Sequence, residues 1–526
     1  MDDITAVAVV EQLANSFGDL EIRFHSAYWD AATHAIPENE ARSAERELGL
    51  RRAKGDPVAL RRVDAELEAG GGDQNLRRQL EVLRLSLLGN QMDDEVRSEI
   101  VRLSSSIASD FASYRPQLDG TEVSNNDIEE VLERSDDATE RRRAWEASKE
   151  IGAVVAERVR KLACLRNAAA RAAGFSDYYS MSLALQELPE EGLWARLNLL
   201  EELTRDPYSA WKDGLDDGLA SRFGATELGP WHYADPFFQT VPSGAGVALD
   251  RHFDGLQAAR LAKESFGRWG IDLKEVMERS DLYPRADKSQ HAFCIQMDRK
   301  KDVRILANVV PGQRWVEVML HESGHAAYDV CIDPSLPYLL RRPAHTFVTE
   351  GMAIMSGRLV RDPRWLVDVA AIQPGAIAQV EEDLHRMTSA ASLLFTRWGL
   401  VMVHFERALY RDPAADLDAL WWDLVERFQL VRRPQDRRAP DWAAKVHIAT
   451  APVYYQNYLL GEMLATQLRT AIERDLDANL VGAPGAGRWL EERFFAPGAS
   501  LRWDDLVRAA TGRELSPEDF AAGLMG

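Results

Sequence analysis

Cysteine is scarce in this chain, with three among 526 residues: Cys164, Cys294 and Cys331. Three scattered thiols make no disulfide framework, and none has the spacing of a cysteine zinc site, so a reduced, cytoplasmic setting is predicted. Long apolar runs are missing as well. No stretch reaches the roughly 18 apolar residues that would cross a bilayer, which excludes a membrane-spanning role. The opening residues Met1, Asp2, Asp3, Ile4 and Thr5 carry no basic region ahead of a long apolar core, which argues against secretion. Linkers rich in Ser, Gly or Pro are also lacking. The length would hold roughly three or four domains, yet one large fold with two halves is the better expectation. Positive charge is outweighed: 63 basic and 84 acidic residues leave 63 − 84 = −21. Such a field repels phosphate backbones and excludes nucleic acid as a partner. The basic clusters at Arg341-Arg342, Arg432-Arg433 and Arg437-Arg438 read as solvated faces.

What is present is helix. From the start to about residue 220 apolar residues recur at three- and four-residue spacing, as in Val7, Val10, Leu13, Phe17 and Leu20. Breaks fall at Gly70-Gly71-Gly72, between Pro116 and Gly120, and at Gly174, which is placed to cap the alanine-rich helix 154–173. The charges of 139–156 suggest a solvent-laced surface helix. Around Trp231, His232, Tyr233 and Pro236 the pattern dissolves into aromatics and prolines, which reads as a buried loop. Trp398, Trp421 and Trp422 on later helices are assigned to the core.

One segment changes period. His291, Phe293, Ile295 and Met297 alternate, a polar turn 298–302 follows, and Val303, Ile305, Ala307 and Val309 alternate again. Period two around a polar turn predicts a β-hairpin, whose edge is able to accept an extended peptide as an added strand. Directly after it, His321-Glu322-Ser323-Gly324-His325 falls in an apolar-periodic run, 315–330, that should be helix. A helix places His321 and His325 one turn apart on one face with Glu322 beside them. Two imidazoles so placed share one Zn²⁺, and the adjacent carboxylate is a general base. A catalytic zinc wants a third protein ligand. Glu350 lies 25 residues beyond His325 at the start of a second predicted helix, where Thr346 or Thr349 is a candidate cap. No third histidine follows as HExxHxxGxxH would require, so the expected metal set is His321, His325 and Glu350.

His291-Ala292, the run 301–305, the HExxH pentapeptide, Glu350, Trp421-Trp422, and Lys445-Val446-His447-Ile448 followed by Tyr454 resemble the angiotensin-converting-enzyme family of zinc peptidyl-dipeptidases, which are gluzincins. The likeness runs in order over residues 140–470. The phrases Arg166-Asn167 to Gly174-Phe175 and Tyr454-Tyr455 to Gly461-Glu462 are similar to the thimet-oligopeptidase-like peptidases. The resemblance implies a mostly α fold: a large helical ellipsoid divided by a deep substrate cleft, with a small β-hairpin beside the HExxH helix. It implies a single metallopeptidase domain over 1–526, with 1–125 as a helical lid and 126–526 as the catalytic body. One Zn²⁺ would be held by His321, His325 and Glu350, and Glu322 would be general base and then proton donor. His291 and Ala292 would hold the substrate backbone beyond the scissile bond. His447 would bind a substrate carbonyl, and Lys445 and Tyr454 the peptide's C-terminal carboxylate.

The chain departs from that pattern in four places. Asn457 stands where the family's oxyanion tyrosine would fall, with Tyr455 and Tyr458 close by; Tyr458 is the expected donor. Gln456 replaces a chloride-binding arginine, so chloride activation is not expected. Ile354 replaces the acidic residue four after the glutamate ligand, so another group must orient the histidine. The interval from His325 to Glu350 is one residue longer. The expected function is hydrolysis of short peptides with release of C-terminal dipeptides. The alternatives are an oligopeptidase cutting at internal positions and a catalytically idle zinc-binding scaffold, for which Glu322 would have no structural use. Oligomeric state is not legible.

Overall fold

The computed structural model of the chain describes residues 6–242, 250–253, 257–435 and 437–525, so the opening residues 1–5 lie outside it. The fold is mostly helical, as the periodicity predicts, with two small two-stranded sheets among the described residues. Contacts divide the chain into two units. One comprises Met1–Gln91, Ala248–Glu381 and Leu460–Phe520; the other comprises Met92–Val247, Glu382–Leu459 and Ala521–Gly526. The stretch 1–125, expected as a lid, is shared between the two, its first 91 residues in the first unit.

In the first unit four helices, Ala6–Thr33, Pro37–Lys54, Pro57–Glu68 and Gln74–Leu88, open the chain. Asp56 and Asp73 cap the third and fourth by accepting the backbone N–H of Val58 and Leu76. Between those two helices Gly70, Gly71 and Gly72 take φ values of 111°, 71° and 76°, which non-glycine residues adopt only under strain. Phe17, Val63, Leu80 and Leu83 bury together with Leu339 and Leu340. The expected hairpin is present as Phe293–Gln296 paired antiparallel with Val303–Leu306, Phe293 opposite Leu306 and Gln296 opposite Val303. Asp281 bonds the outer side of the second strand through Ile305 O and Ala307 N–H, both at 2.9 Å. The first strand is therefore the edge. Phe293 and Ile295 pack towards Trp29 of the first helix, while Gln296 Nε2 donates to Asp329 O on the HExxH helix at 3.4 Å. Alternation thus gives the strand one face for the N-terminal helix and one for the metal-binding helix. Glu21 ties the helices to the hairpin turn, accepting from Lys54 Nζ at 2.8 Å and Tyr338 OH at 2.9 Å, with Arg299 at 2.8 Å.

In the second unit the longest helix is Ala138–Ala172, capped by Asp137, with Gly174 just beyond it at φ 90°. Its first half has the solvated face that its charges suggest, with Arg142, Arg143 and Glu150 exposed, but also a buried face that carries charge. Trp145 is 1% exposed, and Arg141 and Lys149 are buried with it. Their donors are satisfied by the loop that the sequence marks as buried: Arg141 bonds the carbonyls of Trp231, His232 and Tyr233, and Lys149 Nζ bonds Pro236 O at 2.6 Å. Carbonyls that need donors make these buried cations tolerable. Trp398, Trp421 and Trp422 are core. A two-residue ribbon, Gln117–Leu118 with Thr121–Glu122, turns at Gly120, a detail the helical periodicity does not carry.

Candidate active site

The HExxH helix runs Gln313–Cys331 and the helix bearing Glu350 runs Thr346–Gly357. They touch at Gly324, where a Cβ would stand 2.7 Å from Ala353 Cα. Only glycine permits that approach, and the approach brings the ligands together. His321 Nε2 and His325 Nε2 lie 3.7 and 3.9 Å from Glu350 Oε2, and one ligand atom from each of the three residues falls within 4.8 Å of the others. Burial pushes the His321 imidazole down to about 4 and, with the charge of His321 added, holds His325 well below its ordinary value. Both rings are therefore neutral near pH 7 and offer lone pairs. Two imidazole nitrogens and one carboxylate oxygen are the donor set of a catalytic zinc.

His325 Nδ1 and Thr349 Oγ1 share a hydrogen bond of 2.7 Å. For Nε2 to face a metal, Nδ1 carries the proton and donates it to this hydroxyl, the outer contact that fixes a ligating histidine. Thr349 thus supplies the group that Ile354 does not, since Ile354 packs on the helix Tyr455–Leu476, its Cδ1 3.1 Å from where a Cβ on Gly461 would stand. This corrects the expectation that Thr346 or Thr349 caps the helix. The cap is His345, in extended backbone, whose Nδ1 accepts the Phe347 N–H at 3.0 Å.

Glu322 is 8% exposed. Burial and the nearby charge of Glu350 raise its carboxyl to about 8, opposed by a hydrogen bond from the Cys294 backbone N–H. That N–H belongs to the free edge of the hairpin, so the general-base candidate is held by the strand expected to receive substrate. His291 is exposed and Ala292 half-buried, both just ahead of that strand.

The other expected residues belong to the second unit, where the structure groups them among themselves. Lys445 is half-buried, its Nζ 2.8 Å from Gln239 Oε1 and 5.2 Å from the centre of the Trp398 ring. Sequence reasoning missed Gln239; its only signal is its place three residues after Pro236 in the buried loop. His447 stacks edge-on against Tyr455 at 5.4 Å, and Tyr458 lies 5.1 Å from Tyr454 and 5.5 Å from Tyr455. Tyr455 is buried and its hydroxyl accepts from Trp398 Nε1 at 3.2 Å, whereas Tyr458 stays half-buried. Asn457 is 1% exposed and its amide donates to Gln186 Oε1 at 3.0 Å.

Residues 1–199 match the family model of angiotensin-converting enzyme, and residues 277–526 match that of peptidase family M3. The two matches indicate a zinc metallopeptidase of the M2/M3 type. Its expected likeness to both groups is borne out, with a division by position. The HExxH, Glu350 and Lys445–Tyr454 motifs of this metallopeptidase all fall within the M3 match. A search of curated proteins gives no match. Zinc is its cofactor, and peptides are its substrate class. Among the described residues no helix is long and apolar enough to cross a membrane.

Proposed function

We propose that this metallopeptidase is a peptidyl-dipeptidase that measures short peptides from their C-terminus and releases dipeptides. The observation that supports this most is the contact of Lys445 with Gln239. One ammonium proton goes to Gln239 Oε1, which leaves the other ammonium protons and the amide NH₂ as convergent donors for a carboxylate. Tyr454 adds a phenol to that group. When bound at His321, His325 and Glu350, zinc supplies the charge that polarises the scissile carbonyl and favours ionised carboxylates. Glu322 takes the proton of the attacking water and passes it to the leaving amine. The Cys294 N–H keeps the Glu322 carboxylate oriented through both transfers. His291 and Ala292 hold substrate backbone along the strand edge, and His447 a substrate carbonyl. Tyr458 donates to the developing oxyanion, a role for which the half-buried Tyr458 is better suited than Tyr455, which is buried against Trp398. The enzyme works in the cytoplasm, where its three free cysteines stay reduced.

The match of residues 277–526 to peptidase family M3 favours a second register, internal cleavage by an oligopeptidase. Product masses from one defined peptide, supplied as free acid and as amide, decide between them. Dipeptides from the acid with slow turnover of the amide support the first reading. Internal fragments at equal rates from both overturn it.

A further inference from the structure

The link between His447 and Tyr454 holds a residue in a conformation that its side chain disfavours. Val453 is buried and takes φ 54°. Left-handed backbone is a genuine outlier for a β-branched residue, and it persists only where its surroundings over-determine it. Here they do. Glu406 Oε1 accepts the Val453 N–H at 2.8 Å, and Val453 O accepts from Gln456 Nε2 at 2.6 Å and Gln186 Nε2 at 3.4 Å. Four residues earlier, Ala449 O accepts from Arg166 Nη2 at 2.8 Å, while Arg166 Nη1 donates to Tyr410 OH at 3.0 Å. Gln186 also accepts from Asn457. Three helices therefore reach one link: Ala138–Ala172 through Arg166, Tyr178–Leu185 through Gln186 at its end, and Glu381–Arg411 through Glu406.

Arg166 and Glu406 are buried, 7% and 1% exposed; burial raises the Glu406 carboxyl to about 8, against the Val453 N–H and the charge of Arg166, and polar groups so placed are costly unless they are hydrogen-bonded. Among the described residues Glu406 Oε2 has no hydrogen-bond partner, so the carboxylate's one bond is to Val453. We propose that Glu406, Arg166 and Gln186 are positioning residues, which hold the Ala449–Val453 link in its strained form and thereby set where Lys445, His447 and Tyr454 meet the substrate's C-terminal residues. The proposal rests on the reading of those three as substrate-binding.

The test is steady-state kinetics with one peptide as free acid and as amide, alongside zinc content and melting temperature. Glu406→Leu keeps the volume and loses the acceptor. It should raise KM for the acid about tenfold, with kcat and zinc unchanged. Glu406→Gln keeps an acceptor oxygen and should stay within about twofold of the parent. Adding Val453→Gly to Glu406→Leu should recover most of the lost KM, because glycine takes φ 54° unaided. A melting temperature that falls while KM stays constant, with no recovery from glycine, overturns the proposal. If Glu406→Leu does not fold, the half-buried Gln186→Ala replaces it, with an expected KM rise of about threefold; an unchanged KM there overturns the proposal equally. Equal KM for acid and amide in the parent enzyme defeats the carboxylate reading separately, since the positioning effect is still read from variant against parent on either peptide.

Discussion

Thr349 Oγ1 lies 2.7 Å from Nδ1 of His325, and Thr349 is the residue directly before Glu350. One helix therefore carries the proposed ligand Glu350 and, at the preceding position, the hydroxyl that orients the proposed ligand His325. Outer contacts of this kind are worth about 10–100-fold in metal affinity. Thr349→Val, which keeps the shape and removes the hydroxyl, should weaken zinc binding by that order in a chelator competition, and Thr349→Ser should restore most of it. Equal affinity in the valine variant would mean that something else orients His325.

As the proposed general base, Glu322 would act on the reacting atoms without holding the metal, so the two properties should separate. Glu322→Gln is expected to retain one zinc per chain while peptide cleavage falls by about 10²–10⁴. Zinc analysis and cleavage rates on the same preparation check it. Zinc-loaded enzyme that still cleaves would end the general-base assignment.

The parts legible in the sequence are those whose geometry is local. HExxH on a helix fixes its own spacing, and the alternation of 291–309 fixes which hairpin residues share a face. Thr349 was misread because capping and ligand orientation ask for the same side chain, and only the direction in which the helix faces His325 separates them. Arg141 and Lys149 read as solvated because charge usually is, and the carbonyls that receive them lie about 90 residues away. Gln239 is 206 residues from Lys445 and shows no periodic signal at all. Long-range pairing of polar groups is what single-sequence reading lacks.

Acid should loosen the grip of the N-terminal helices on the hairpin turn. Burial alone would raise the Glu21 carboxyl, but Arg299 and Lys54, with hydrogen bonds from Lys54 and Tyr338, bring it from 4.5 to about 2. Lys54 is itself lowered by burial, which Glu21 partly offsets, yet it remains a cation throughout the acid range. A depressed acid contributes stability that is complete above its unfolded value and is lost as pH falls through the folded one. The window is therefore pH 4.5 to 2, and the amount is at most about 3 kcal/mol. Urea melts at stepped pH should show a steep fall there in the parent protein. Glu21→Gln should be less stable at pH 7 and flatter across the window; parallel curves would contradict the linkage.

Lys445 should give the enzyme an alkaline limit that depends on the substrate's terminus. Burial lowers its ammonium from 10.5 to about 8, with Asp235 and Glu129 pulling the other way. A clamp for a carboxylate needs the cation, so above pH 8 the free enzyme progressively loses it. KM for a free-acid peptide should then climb by about tenfold per pH unit, while KM for the amide, which never used the cation, stays level. Lys149 complicates the region: burial, with the charges of Arg437 and Lys445 and against the pull of Asp441 and Asp235, brings it to about 7. Its ammonium is committed to Pro236 O, so its titration should move the loop for acid and amide alike. The difference between the two substrates isolates Lys445. Lys445→Met should raise KM for the acid at neutral pH and abolish its alkaline limb. A limb that persists in the methionine variant, or that the amide shares, would place the titrating group elsewhere and remove Lys445 from the clamp.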